Sequence, residues 1–311
     1  MLHSVILFEK LLTAPKLYAM MYIGKSLLCS FLMPTFKKRL PYNGEQIMDM
    51  FKYYGLFREE HNTDRLTSAE TEIIEFLFDK YLPKEGKVID TSAGTGTFAF
   101  KLAKKGYSVT AGDLLEEHYN LLRSSAEESL LDGIYCSSPR SLSQFQNESF
   151  DILISMGPLY HAVTRAERET IIKEAMRVLK PGGYIAYTYM TPMAMTLGQY
   201  FNAMRTDNVL DKMRAYRKLT EVEKTHKCDS FYGMMLDEMT DLAREYGIEI
   251  LTVASTYALL YNMIDEIEAM SEEEYRNFVK VQIESCEDPL VAKYCMRGIM
   301  IGKKKNLDMF D

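Results

Sequence analysis

Two aspartates and a pair of glycines carry the most legible chemistry in this chain. Asp90 ends the apolar run 87–90, and the small-residue segment Thr91, Ser92, Ala93, Gly94, Thr95, Gly96 follows at once. Phe98, Ala99, Leu102, Ala103 and Gly106 then recur at three- and four-residue steps, which marks one face of a helix. A glycine turn between a strand and a helix N-terminus lets a ligand approach bare backbone N–H groups, because Gly94 and Gly96 have no side chain to hold it off. A second apolar run, 107–112, delivers Asp113, which lies 17 residues beyond Gly96. That is about where nucleotide-binding βαβ units place the carboxylate that accepts from ribose hydroxyls. The order strand, glycine turn, helix, strand, acid predicts a nucleoside cofactor. A tight turn without a ligand is the plain alternative, and with Ala99 in third place the spacing also satisfies the nicotinamide-dinucleotide pattern. A further candidate is His161, four residues past Gly157 at the end of the apolar run 150–156. An unperturbed imidazole titrates near pH 6.5 and can take a proton from an acceptor at neutral pH. The alternative for His161 is a loop histidine hydrogen-bonded for structure.

The elements that must position these residues follow from periodicity. Thr67-x-x-Glu70 reads as a capping box ahead of a helix burying Ile73, Ile74, Leu77, Phe78 and Tyr81, with Pro83 and Gly86 ending it before the first strand. A second helix is expected over 114–131, a short third strand over 134–136 and a fourth over 150–156. Thr164-x-x-Glu167 is another capping box, for a helix burying Ile171, Ile172, Ala175, Met176 and Leu179 and stopped by Pro181-Gly182-Gly183. A fifth strand spans 184–189. Residues 192–232, rich in methionine, aromatics and charge, interrupt the alternation and read as helices laid over the active-site edge. A helix over 235–246, ended by Gly247, precedes two strands at 248–257 and 296–303 with a helical excursion between them. Alternation of this kind implies an α/β, doubly wound, mostly parallel sheet with ligands at the carboxyl ends of its strands. Asp90, Asp113, Ser138 and Gly157 all fall on that edge.

Composition bounds the function. With 311 residues, 47% of them apolar, the chain can bury a large core. A net charge of −7 opposes a nucleic-acid partner. Cys29, Cys136, Cys228, Cys286 and Cys295 are odd in number and contain no Cys-x-x-Cys pair, so they read as reduced thiols of a cytoplasmic protein. His3, His61, His118 and His226 show no ligand-like spacing, and no metal is expected. Residues 1–41 stand apart as an apolar and basic extension: Lys10, Lys16, Lys25, Lys37, Lys38 and Arg39 face a single acid, Glu9. Their longest uncharged run, 26–36, is too short to span a bilayer. An extra packed helix, an interfacial membrane anchor and sequence upstream of the working start all remain open for them.

The motifs Val-Ile-Asp-x-x-Ala-Gly-Thr-Gly, Gly-Tyr-x-Val-Thr-x-x-Asp-Leu, Ser-Phe-Asp-Ile-Leu, Gly-Pro-Leu-Tyr-His and Arg-Val-Leu-Lys-Pro-Gly-Gly-Tyr-Ile resemble those of class I S-adenosylmethionine-dependent methyltransferases. The likeness is greatest to the ubiquinone-biosynthesis-like bacterial group, which carries Gly-Pro-Leu-Tyr-His after the fourth strand, and it covers roughly residues 42–303. It implies a seven-stranded Rossmann-like fold over 42–311, an aromatic-rich helix near 47–57 above the cofactor, and 192–232 as a substrate-side insertion. It further implies S-adenosylmethionine as cofactor and a small-molecule methyl acceptor. Asp90, Ala93, Gly94 and Gly96 would line the methionine part, Asp113 the ribose, Ser138 the adenine amine, and Gly157 the sulfonium, with Ser92 and Leu114 also among the cofactor-binding residues. Ser92 replaces the first glycine of the family's turn, and Ser138 replaces a frequent aspartate. A member that binds the cofactor or its product without transferring a methyl group is a separate expectation, as is a nicotinamide-dependent oxidoreductase.

Overall fold

The computed structural model describes residues 65–162, 164–192, 227–228, 231–257 and 264–306. The extension 1–41, the helix expected near 47–57 and nearly all of the insertion 192–232 lie outside the described residues.

Seven strands form one sheet in the order β3-β2-β1-β4-β5-β9-β8. They are β1 (Lys87–Asp90), β2 (Ser108–Asp113), β3 (Gly133–Cys136), β4 (Phe150–Ser155), β5 (Leu179–Met190), β8 (Ile248–Tyr257) and β9 (Arg297–Lys304). The first five run parallel, while β9 pairs antiparallel with both β5 and β8. A two-residue hairpin, β6 (Lys227–Cys228) with β7 (Phe231–Tyr232), stands apart. The helices are α1 (Arg65–Tyr81), α2 (Thr97–Lys104), α3 (Glu116–Ser124), the single turn α4 (Pro158–His161), α5 (Arg165–Val178), α6 (Leu236–Glu245), α7 (Ile264–Ala269), α8 (Glu272–Ser285) and α9 (Pro289–Tyr294).

Side chains alternate across each strand, so both faces of the sheet are covered. Val88, Ile152, Ile154, Ala186, Ile299 and Ile301 join one core with α1 and α2. Ile89, Leu153, Ile185, Tyr187 and Met300 join the other with α5 and α6. Order β2-β1-β4 makes β1 and β4 interior neighbours, and their carboxyl ends open side by side.

Some expected boundaries move, each for a local reason. Thr67 is not a cap: α1 already runs from Arg65, whose N–H donates to Glu268 Oε1 at 2.6 Å, and Glu70 is buried facing a distant arginine. The helix expected over 114–131 ends at Ser124, because Ser125 turns extended and its hydroxyl accepts from Glu127 N at 3.1 Å, competing with the helical bond. A 3₁₀ turn, Glu128–Leu130, follows. Helix α5 stops at Val178 rather than at the Pro-Gly-Gly segment. Leu179 already pairs with Phe150 as strand, and the irregularity in that register absorbs Gly182, at φ +73°. The Thr164–Glu167 capping box forms as expected.

Candidate active site

Asp90 sits at the end of β1, 1% exposed, where its Oδ1 accepts from Ser92 N at 3.1 Å. Burial raises its pKa to about 7, against one backbone donor that lowers it, and the Asp113 charge adds to the rise. The neighbouring strand β2 presents Asp113. Its Oδ2 accepts from Gly94 N at 3.0 Å, its Oδ1 accepts from Leu115 N at 2.9 Å, and His118 Nδ1 lies 3.2 Å from that same Oδ1. Leu114, beside it, is 46% exposed on the rim.

The turn between these acids departs from expectation. Ser92 N goes to Asp90, Ala93 N to Gly112 O at 2.9 Å, Gly94 N to Asp113, and Gly96 N to Ala93 O at 2.8 Å. Four amides expected to face a ligand are therefore spent on the chain itself. Gly96 is required for another reason: it holds φ +94°, and a Cβ on it would lie 2.3 Å from the Phe100 ring. Gly112 is likewise needed by packing, since a Cβ would strike the Tyr135 ring at 2.2 Å. That tyrosine is kept protonated by burial beside Asp90 and Asp113, and it donates to Asp90 O at 3.3 Å.

Ser92 does what a glycine could not. Its hydroxyl accepts from Met156 N at 2.8 Å and ties the turn to the end of β4. Thr91 reinforces the tie, with Oγ1 donating to Ser155 Oγ at 2.9 Å and its amide to Ile154 O at 3.0 Å. Gly157 follows with φ +153°, and a Cβ there would come within 3.3 Å of the Tyr160 hydroxyl. The turn α4 then carries Tyr160, 6% exposed, and His161, half-buried, with ring centroids 4.8 Å apart. Ser138 lies in the bend after β3, where its Oγ accepts from Arg140 N at 3.2 Å.

A second polar cluster backs α4 from elements remote in the chain. Arg297, at the start of β9, donates Nη1 to both carboxylate oxygens of Glu70 on α1 at 3.0 Å, and its guanidinium lies 5.7 Å from the Tyr160 ring centroid. Thr256 Oγ1 donates to Glu70 Oε1 at 3.1 Å. These partners escaped sequence reading because no spacing links residues 227 positions apart. Tyr135 and His118 escaped it too. For His118 a signal existed, a histidine one turn into the helix that follows the acid.

Asp90, Ser92, Ala93, Gly94, Gly96, Asp113, Leu114 and Gly157 thus share the carboxyl edge of β1, β2 and β4, with Ser138 at the end of β3 and His161 beyond β4. The residues fit a cationic nucleoside cofactor: a buried carboxyl with a raised pKa beside a second carboxylate is an anionic locus that a cation would relieve. Among the described residues, no group of three or more His, Cys, Asp or Glu could hold a metal ion, and no helix is long and apolar enough to cross a membrane. Cys136, Cys286 and Cys295 are free thiols.

Residues 89–187 match the family model described as methyltransferase domain. A ubiquinone biosynthesis O-methyltransferase of Idiomarina loihiensis is 32% identical over 103 residues, 33% of this chain and 41% of that protein. The S-adenosyl-L-methionine-dependent Diels-Alderase iliD of a Neonectria species is 29% identical over 119 residues, 38% of this chain and 44% of that protein. The chain thus spans about two fifths of these curated relatives. In overall shape it is similar to the crystal structure of the PH0226 protein from Pyrococcus horikoshii, with TM-score 0.50 at 18% identity, covering 82% of this chain and 99% of that one. The strand order with its antiparallel β9, the two acids at adjacent strand ends and the matched segment agree: the sheet has the Rossmann-like methyltransferase fold, and residues 89–187 are similar to a methyltransferase domain.

Proposed function

We propose that the protein transfers a methyl group from S-adenosylmethionine to a small-molecule acceptor by in-line displacement. The observation that carries this reading is the convergence of Asp90, the glycine turn and Asp113 with Gly157 and His161 on one sheet edge. The cofactor, when bound, supplies an already activated methyl group. The chain's task is then alignment, and proximity provides most of the rate. In this reading Asp90 faces the cationic methionine portion, Asp113 accepts from the ribose, Leu114 lines the cofactor beside it and Ser138 meets the adenine edge. Gly157 keeps the path to the acceptor clear of a side chain. His161 takes the proton of an acceptor that is protonated at working pH.

We further assign residues 42–311 to one methyltransferase unit, 192–232 to the acceptor side and 1–41 to a dispensable extension. The protein would work in the cytoplasm, without nucleic acid. The likeness to the ubiquinone-biosynthesis-like group rests on the Gly157–His161 motif. A second reading, binding of S-adenosylmethionine without methyl transfer, is supported by the relative named a Diels-Alderase.

Calorimetric titration of the full chain with S-adenosylmethionine, S-adenosylhomocysteine and NADH tests the cofactor. The first two should bind and the third should not. Donor turnover against mixed small metabolites then separates methyl transfer from silent binding. NADH binding alone would overturn the proposal.

A further inference from the structure

We propose that Arg168 is a positioning residue for the acceptor side, its guanidinium clamping the end of α4, one residue beyond His161, to the segment 232–234 by which the chain rejoins the sheet. This rests on the reading of His161 and residues 192–232 as the acceptor side. Arg168 lies on α5, where its amide donates to Thr164 O at 3.2 Å, and its side chain is 3% exposed. Nη1 donates to Ala162 O at 2.8 Å. Nη2 lies 3.3 Å from Glu238 Oε1 on α6, and the centre of the guanidinium stands 3.7 Å over the Tyr232 ring. The Tyr232 hydroxyl closes the cluster, 2.9 and 3.0 Å from the two carboxylate oxygens of Glu238. Next along the chain, Gly233 pairs in parallel with Met190 at the end of β5, and Met234 N donates to Met190 O at 2.7 Å. The chain's departure from β5 and its return are thus stapled side by side, and Arg168 ties α4 to that staple.

Neither tied element is long enough to hold its own place. Helix α4 is a single turn, closed by Tyr160 N on Gly157 O at 3.2 Å and Ala162 N on Pro158 O at 3.0 Å, and one turn is not a stable helix in water. Its last carbonyl, on the fully buried Ala162, needs a donor from outside the helix. Strand β7 is only two residues long. Stability alone accounts poorly for an arginine here, because taking a guanidinium out of water is costly and a buried ion is often replaced by apolar side chains without loss. What an apolar side chain cannot do is donate to a carbonyl, face a carboxylate and lie flat on a ring at once. Lysine cannot do so either, since its ammonium is a point charge without a planar fork. The clamp is therefore geometric: it sets the turn that carries His161 against the segment on which the insertion returns.

The test is amide hydrogen exchange, read by mass spectrometry on the full-length protein, together with calorimetric titration of S-adenosylhomocysteine and donor turnover against mixed small metabolites. In Arg168→Lys, exchange at 159–162 and at 232–235 should rise together by about tenfold or more, the scale of a lost hydrogen bond to a charged group. Exchange in β1, β2 and β4 should stay as in the wild type, and S-adenosylhomocysteine affinity should move by less than about threefold, because the clamp lies away from the cofactor edge. Turnover at saturating S-adenosylmethionine should fall by about tenfold or more, with lysine giving no rescue. Tyr232→Leu removes the ring beneath the guanidinium without touching α4, and it should still speed exchange at 159–162. That variant decides the matter even if Arg168→Lys does not fold. Wild-type exchange or turnover in Arg168→Lys, a rise confined to one of the two segments, or a rise shared by the whole sheet would overturn the inference. Wild-type protein that turns over no donor would remove the acceptor reading beneath it, an outcome that the exchange data keep distinct from failure of the clamp.

Discussion

The two halves of the strand edge are built by different means. At β1 and β2 the site is assembled from backbone amides and short sequence steps: Ser92 N on Asp90, Leu115 N on Asp113, both two residues apart, and Gly94 N on Asp113 at nineteen. Beyond β4 the site depends on side chains brought from afar. Tyr160, with His161 beside it, lies against Arg297, which is held by Glu70 on α1 and sits beside Thr256 on β8. A half made of main chain can change little without losing the fold. A half made of side chains can be altered residue by residue.

The comparison can be broken most sharply at His161. His161→Ala should lower turnover by about 10² to 10⁴, the range of general-base catalysis, while S-adenosylhomocysteine affinity barely moves. A variant that lost both together would erase the division between the halves.

Next in size is the Glu70–Arg297 pair, whose side chains are 7% and 14% exposed. Arg297→Met leaves a buried carboxylate uncompensated, at a cost of about 3–5 kcal/mol in a denaturant titration. Adding Glu70→Gln should recover most of it. Wild-type stability in the single variant would show that this pair does not hold the half beyond β4.

Asp90 tests the half at β1 and β2 through pH. Its folded pKa of about 7 lies above the ordinary 3.8, so the folded chain keeps a proton that the unfolded chain has released. Stability should therefore fall as pH rises from about 4 to about 7, by a few kcal/mol in total, and Asp90→Asn should flatten that slope. Near pH 6, binding of a cationic cofactor should expel this proton. The binding heat would then vary with the ionisation enthalpy of the buffer, and heats independent of buffer would count against a protonated Asp90.

The smallest effect belongs to the seam between the halves. Ser92→Gly restores the glycine usual in the resembled turn but removes the acceptor for Met156 N, for a loss of about 1 kcal/mol in thermal unfolding. No change would mean that Thr91 alone carries the seam.

Local pattern alone determined the strand and helix frame, because apolar repeats of two and near four residues are written within single elements. Asp90 and Asp113 were readable for the same reason: each ends its own strand, and parallel alternation brings strand ends to one edge. The Thr164–Glu167 cap and the Gly247 stop were likewise readable, since each involves only neighbours in the chain. Tertiary structure alone decided the rest. Glu70, read as a capping residue, became half of a buried ion pair, because an acid's partner across 227 residues leaves no trace in spacing. His118 and Tyr135 looked like ordinary surface and strand residues until the sheet set them against Asp113 and under Gly112. The amides of Ser92, Ala93, Gly94 and Gly96, open in sequence, are engaged in the fold, because the acids at the strand ends and two nearby carbonyls stand within reach of them.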